Sequence, residues 1–377
     1  MAADRLYLDH AATTPMLPAA RDAMMEAMAN WANPSSPHAD GRAARARLED
    51  ARRRIAAALD WSGHVIFTSG ASEAIAIGLL RAKGGRIVTS PVEHDAVLRV
   101  TKDAARLAVD GNGIAISPRH PNESWDLPSS SASEEQKRDA SLRWHDGKQG
   151  NPPLLAIQHV NNETGVIQPL DRIDRDGAIL FADCAQSAGK LPLPDADMIA
   201  ISAHKFGGPP GIGALLIRDL ALIEPSGGQE QGYRAGTENL PAILAMVAAL
   251  EAREDWLPRA TALRTRLDAG IEAAGGVIVA RDAPRLPAIA SYRMPGLSAR
   301  AQLIQFDLAG ISVSAGSACS SGSLKTSHVL GAMGWDEDAA AEVVRVSFGP
   351  QTCDSDMDRF LAIWKSMAAK AFGRASQ

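Results

Sequence analysis

Cysteine is scarce in this chain. Its 377 residues include three, Cys184, Cys319 and Cys353, with no paired spacing, which excludes a disulfide framework and a cysteine-built zinc site, so no metal is expected. A basic excess is also missing. Lys and Arg number 39 against 44 Asp and Glu, a formal net charge of -5, so there is neither the electropositive footprint of direct nucleic-acid binding nor an acidic low-complexity tail. No apolar run is long enough to span a bilayer, and Met1-Ala2-Ala3-Asp4-Arg5 lacks the apolar core of a signal peptide. No internal repeat is evident. A reducing cytoplasm is the simplest home for such a chain.

What is present is an apolar content of 46% in a chain longer than one ordinary core requires, so two domains are expected. Strand-like runs at Val65, Ile87, Leu154, Ile179, Ile199 and Leu215 interleave with helical or loop segments, the pattern of an α/β fold with a mainly parallel sheet flanked by helices. The expected large, cofactor-binding domain is 16–250. A smaller α+β domain is expected from 1–15 and 251–377, entered by a helical run from about Glu251 through Ala273. Ala43 to Leu59 has apolar residues at helical spacing, and its Arg52-Arg53-Arg54 run reads as a solvated face. Between Pro118 and Gly150 the chain is crowded with Ser, Pro, Asn and charge, and reads as a long solvated loop or a weakly held helix.

Chemistry concentrates at Ser202-Ala203-His204-Lys205-Phe206-Gly207. The lysine follows the apolar run Met198 to Ile201 and precedes a glycine-rich turn leading back into a second run, Ala214 to Ile217. A lysine is ordinarily a solvated surface charge. At the end of a buried strand it is instead a candidate Schiff-base residue, since the neutral amine attacks an aldehyde, and pyridoxal phosphate is the natural aldehyde. That cofactor requires a phosphate cradle, an acid for the pyridine nitrogen, a cover for the ring and an anchor for the substrate carboxylate. Thr68-Ser69-Gly70-Ala71-Ser72-Glu73-Ala74 follows the run Val65-Ile66-Phe67 and opens a helix through Leu80, so it offers free amides at a helix N-terminus, with the Ser72 hydroxyl beside them. Asp183 ends the run Ala178 to Ala182, and Gln186 stands three residues on. Asp183 reads either as a helix cap or as the pyridinium partner, and its order relative to Lys205 favours the latter. His94 lies just beyond Arg86-Ile87-Val88-Thr89 and offers a flat ring to stack on the cofactor and relay protons.

Several segments together resemble the cysteine desulfurases of the NifS/IscS-like branch, within the class V aminotransferase group of fold-type I pyridoxal-phosphate enzymes. They are Leu8-Asp9-His10-Ala11-Ala12-Thr13-Thr14-Pro15, Asn33-Pro34-Ser35-Ser36-Pro37-His38, the Thr68 segment and Glu93-His94. Val160 to Gly165, Asp183 to Gln186, Ser202 to Lys205, Arg234 to Asn239, Ser314 to Gly322 and Arg345 to Gly349 continue the match in order across nearly the whole chain. The resemblance implies that Lys205 carries the cofactor as an internal aldimine, Asp183 pairs with the pyridinium, His94 stacks on the ring, and Gln186 and Asn162 hold the ring-hydroxyl side. Ala71, Ser72, Ser202 and His204 would hold the phosphate, with Thr237 reaching in from the partner subunit of a homodimer. Arg345 would anchor the substrate carboxylate, with Asn162 assisting; a guanidinium fork suits that task.

Cys319, in a Gly/Ser-rich loop, separates members of this group, because such a loop can carry a thiol to the cofactor and away again. The implied chemistry converts L-cysteine to L-alanine, leaves a persulfide on Cys319, and passes sulfur to an acceptor protein serving iron-sulfur cluster assembly or tRNA thiolation. Cys184 and Cys353 read as structural or incidental. Alternatives on the same cofactor are a class V aminotransferase or a selenocysteine lyase, and outside catalysis a sulfur-assembly scaffold, against which the joint presence of Lys205, Asp183, His94, Cys319 and Arg345 speaks. The resemblance is locally broken at 118–150, where relatives carry an apolar-patterned helix, and slightly at Lys325-Thr326.

Overall fold

The computed structural model describes residues 5–116, 151–173, 175, 177–316 and 326–375, with side chains through residue 371. The atypical 118–150 segment and Cys319 with its neighbours 317–325 lie outside the described residues.

After a short strand β1 (Leu6–Tyr7), the apolar runs of the first two-thirds become β2 (His64–Thr68), β3 (Ile87–Thr89), β5 (Leu154–Gln158), β6 (Ile179–Asp183), β7 (Met198–Ser202) and β8 (Gly213–Ile217), with β4 (Ala105–Arg106) at one edge. They form one seven-stranded sheet in the order β2-β8-β7-β6-β5-β3-β4. Strands β7, β6, β5, β3 and β4 are parallel neighbours, while β8 runs antiparallel to both β7 and β2. Strands β5 to β8 are buried at every position, which is why they read as continuous apolar runs rather than alternating ones.

Helices cover both faces. Helices α2 (Ala39–Ala58) and α5 (Leu240–Glu251) pack on one face, where α1 (Pro18–Ala29) lies against α5, and α3 (Ala71–Leu80) and α4 (Asp95–Val100) pack on the other. Leu48, Ile55, Ile243 and Met246 share the first core with Leu180, Ile199 and Leu216; Ile75 and Leu79 share the second with Ile66, Phe181 and Leu215. Gly78 lets α3 approach the sheet, since a Cβ there would lie 2.4 Å from the Phe181 ring. The helix expected from Ala43 begins earlier, at Ala39, where the His38 Nδ1 accepts from the Gly41 amide at 3.2 Å.

A further core forms around β10 (Ile289–Arg293), which pairs antiparallel with β9 (Val277–Ile278) and β12 (Val343–Ser347); β11 (Ile311–Ser312) pairs in parallel with β1. Helices α6 (Leu257–Ala273), α7 (Ala299–Leu308) and α10 (Asp354–Ala375) enclose it, while the short α8 (His328–Ala332) and α9 (Glu337–Ala340) pack in a separate cluster with Val92, Val166, Val279 and Val343. Phe306 and Phe360 stack at 4.7 Å beside the buried Trp364 and Tyr292. The helical run expected from Glu251 through Ala273 is broken: α5 stops at Glu251 and α6 restarts at Leu257, with Pro258 in its first turn, where the missing N–H costs nothing.

The arginine run also departs from expectation. Arg53 and Arg54 are exposed, but Arg52 is buried and forms a two-pronged ion pair with the buried Glu230 carboxylate, at 2.6 and 3.0 Å. Glu230 accepts the Phe67 amide of β2 as well, at 2.8 Å. Its partner is remote in sequence, so local charge spacing could not reveal it. Glu230 and Gln231 both have left-handed backbones, φ +49° and +60°, a cost the pair must offset. Arg52→Ala is expected to lower unfolding stability by about 3–5 kcal/mol, because it strands a buried carboxylate; a denaturation midpoint equal to that of the parent would contradict this.

Candidate active site

The carboxyl ends of β2, β5, β6 and β7 face a cavity of about 550 Å³ whose walls include Asp9, Gly70, Ala71, Ser72, His94, Gln158, Asn162, Asp183, Gln186, Ser202, His204, Lys205 and Arg345. Ligand sites of open α/β sheets lie at such strand ends. The wall thus gathers Lys205, Asp183, His94, Asn162, Gln186, Ala71, Ser72, Ser202, His204 and Arg345 from segments scattered along the chain. Thr237 is exposed and lies outside this lining. Cys319 lies outside the described residues.

Strand β7 ends at Ser202, and the 3-10 turn Ala203–Lys205 delivers the lysine to the cavity. Its Nζ donates to the Ala11 and Ala12 carbonyls, at 2.7 and 2.9 Å. The same segment grips the turn from the other side: the Thr14 amide donates to the His204 carbonyl at 2.8 Å, and the Thr14 hydroxyl to the Lys205 carbonyl at 3.1 Å. The segment was recognisable as a motif, but the carbonyls of Ala11 and Ala12 and the Asp9 side chain were not foreseen as cavity groups. Backbone acceptors carry no side-chain signal.

At the end of β6, Asp183 is 6% exposed and one of its oxygens accepts the Ala185 amide at 2.9 Å. Burial pushes its carboxyl up, against the opposing pull of that amide, His94 and Lys205. Gln186 donates its Nε2 to the Ala11 carbonyl at 2.9 Å, while its Oε1 is buried with no partner among the described residues. His94 caps α4, its Nδ1 accepting from the Ala96 amide at 3.1 Å, so the imidazole is locked at the strand end. Behind it, burial pushes the Glu93 carboxyl up to about 8; it accepts from the Ser90 hydroxyl at 2.7 Å and the Gln158 amide at 2.8 Å.

The β2 end turns through Gly70, at φ +151°, into α3. Gly213 of β8 packs so close that a Cβ there would fall 2.7 Å from the Gly70 Cα, which explains a glycine at each place. The first α3 amides have no intrahelical acceptor, and Ser202 and His204 face the same cavity. Glu73 steadies this turn by accepting from the Ser69 amide and pairing with Arg234 at 2.9 Å. Across the cavity Arg345, 6% exposed, is held by the Asn162 carbonyl at 3.0 Å and by Asp9 at 2.7 Å. Its Nε is buried without a partner among the described residues. Amides at a helix end, an open amide oxygen and an open guanidinium N–H are donors and acceptors of the kinds that a phosphate, a ring hydroxyl and a carboxylate require, so this donor set fits pyridoxal phosphate and an amino-acid substrate.

Three imidazoles near these strand ends, His10, His159 and His204, are each pushed down to about 4, chiefly by burial. Each stays neutral when folded and takes up a proton on unfolding below 6.5, so their contribution to stability is complete above 6.5 and is lost as pH falls toward 4. His159, whose Nδ1 meets the Ser187 hydroxyl at 3.0 Å, gives the test. In His159→Gln the melting temperature should fall less steeply than the parent's between pH 6.5 and 4, by the equivalent of about 1 kcal/mol or more; parallel curves would contradict it.

Comparison with known proteins agrees with this arrangement. The sequence model of the family described as "Aminotransferase class-V" matches residues 6–360. The chain is 36% identical to an IscS-like cysteine desulfurase of Mycobacterium tuberculosis, covering 97% of this chain and 96% of that one. In structure it is similar to a NifS-like protein from Rickettsia africae, with a TM-score of 0.79 and 28% identity over 96% of this chain and 99% of the other. It is also similar to SspA, solved in complex with cysteine, with a TM-score of 0.71 and 28% identity over 92% of this chain and 100% of the other. The chain belongs to the class V aminotransferase family, in its NifS/IscS-like cysteine desulfurase branch.

Proposed function

We propose that this protein is a cysteine desulfurase that uses pyridoxal phosphate to convert L-cysteine to L-alanine and retains the sulfur as a persulfide on Cys319. The observation that carries the reading is one cavity holding Lys205, Asp183, His94 and Arg345 together at strand ends, in a chain whose relatives include cysteine desulfurases over nearly its full length. Lys205 would take the cofactor's aldehyde, Asp183 would face its ring nitrogen, His94 would lie against the ring, and Gln186 and Asn162 would hold its hydroxyl side. Ala71, Ser72, Ser202 and His204 would hold the phosphate, with Thr237 supplied by the second copy of a homodimer. When bound, the cofactor acts as the electron sink for bonds breaking on the substrate.

Arg345 would take the substrate carboxylate through its open Nε and fix the amino acid's orientation, with Asn162 beside it. The Cys319 thiolate would attack the substrate sulfur. The new S–S bond forms as the C–S bond breaks, the electron pair remains with carbon, and a proton delivered to that carbon completes alanine. His94 and Lys205 would carry protons there. The sulfur would then pass to an acceptor protein. Among the described residues no helix is long and apolar enough to cross a membrane.

Purified protein loaded with pyridoxal phosphate and given L-cysteine with a reductant should form alanine and sulfide in equal amounts. Pyruvate in place of alanine, or turnover of L-alanine with a 2-oxo acid, would move the assignment to another reaction of the family.

A further inference from the structure

Behind the cavity stands a second lysine that the reaction scheme does not use. Lys190 follows Asp183 by seven residues, at the end of the turn leading away from β6. It is half-buried and lines a neighbouring hollow with Asp60, Arg253, Glu254 and Asp255, yet among the described residues no carboxylate lies within ion-pair distance. Its Nζ donates to the Gln186 carbonyl at 2.9 Å. The Gln186 side chain donates to the Ala11 carbonyl at 2.9 Å, and that same carbonyl accepts from the Lys205 Nζ at 2.7 Å. Two amines are thereby tied to one short stretch of structure, one inside the cavity and one behind it.

We propose that Lys190 is an electrostatic positioning residue for Lys205: its positive charge, held at the back of the cavity by Gln186, disfavours a second charge on the Lys205 amine and so keeps that amine ready to capture the cofactor's aldehyde. The inference rests on the assignment of Lys205 as the cofactor lysine. The groups facing the two amines account for the need. Asp183 at the end of β6 favours a charged Lys205, and His94 lies beside Asp183 at the start of α4. His10, after β1, and His204, in the Lys205 turn, are both held neutral by burial together with nearby lysine charge. Asp9 is committed to Arg345 across the cavity. Lys190, joined to Lys205 through Gln186 and Ala11, adds a positive charge that opposes the pull of Asp183. Burial and the Lys205 charge push its own ammonium down to about 7, so its charge is present below neutrality and fades above it. A neighbouring cation is an established way of activating a Schiff-base lysine.

The test is the rate of pyridoxal phosphate uptake by the cofactor-stripped full-length protein across pH, since only the neutral amine reacts. The phosphate's own titration is common to all variants and cancels between them. In Lys190→Met the rising limb of the profile should move up by about one pH unit, making uptake about tenfold slower below neutrality. In Lys190→Arg, whose charge is fixed, the limb should stay or move down. A Lys190→Met profile superimposed on the parent's, or an upward move in Lys190→Arg, would overturn the proposal, and each variant is decisive without the other. Uptake by Lys205→Ala equal to the parent's would instead overturn the underlying assignment of Lys205, so the two failures are distinguishable.

Discussion

Replacing Lys205 with alanine is expected to lower the rate of alanine formation from L-cysteine by at least about 10³-fold, the loss that follows when a nucleophile and proton carrier are removed together. The fold should survive, because the grip on this turn comes mainly from the backbone: the carbonyls of His204 and Lys205 accept from Thr14 whatever side chain stands at 205. What disappears is the pair of Nζ bonds to Ala11 and Ala12. The variant should therefore melt close to the parent and lose its pyridoxal phosphate on dialysis. Retained turnover in a folded, cofactor-depleted variant would place the chemistry elsewhere.

The second large effect is expected at Arg345. Strand β12 sets this residue opposite Ser291 of β10, and a bridge to Ser314 brings in the stretch that leads toward Cys319. With Asp9 and the Asn162 carbonyl holding its two terminal nitrogens, the guanidinium is oriented before any substrate arrives, and its Nε remains open. Removing one partner of a buried, charge-assisted contact costs about 3–5 kcal/mol, so Arg345→Ala should lower kcat/KM for L-cysteine by about 10²-fold or more. Arg345→Lys keeps the charge without the planar fork and should recover only part of this, chiefly through a raised KM. Cofactor uptake should be unaffected in both. An unchanged KM would remove Arg345 from substrate binding.

Six of the seven strands of the main sheet were legible because they are mostly buried and therefore continuous in apolar character; all six runs beginning near Val65, Ile87, Leu154, Ile179, Ile199 and Leu215 appear as strands, while the two-residue, half-buried β4 left no such run. The residues gathered at the cavity were legible for a related reason. Asp183, Lys205 and His94 each sit just past such a run, where the sheet must present its ligands. What the sequence concealed was chiefly non-local. The two-residue strands β1 and β11 exist through each other, across about three hundred residues, and no local periodicity marks them. Arg52 looked like one of three solvated charges because its partner Glu230 comes from a distant loop. The break between α5 and α6 was hidden by helix-compatible residues on both sides of the Ala252–Trp256 stretch. Asp9 belonged to a recognised motif, but its use, orienting Arg345, depends on the parallel bridge between Asp9 and Ser347.

The most direct test of the account is the intact mass of the protein after a single exposure to L-cysteine without reductant, read together with the alanine released. The account predicts the added mass of one sulfur atom, mapped by peptide analysis to Cys319, with one alanine formed per sulfur retained, and neither in Cys319→Ala. Alanine formed with sulfur on no cysteine, or undiminished production by Cys319→Ala, would contradict it.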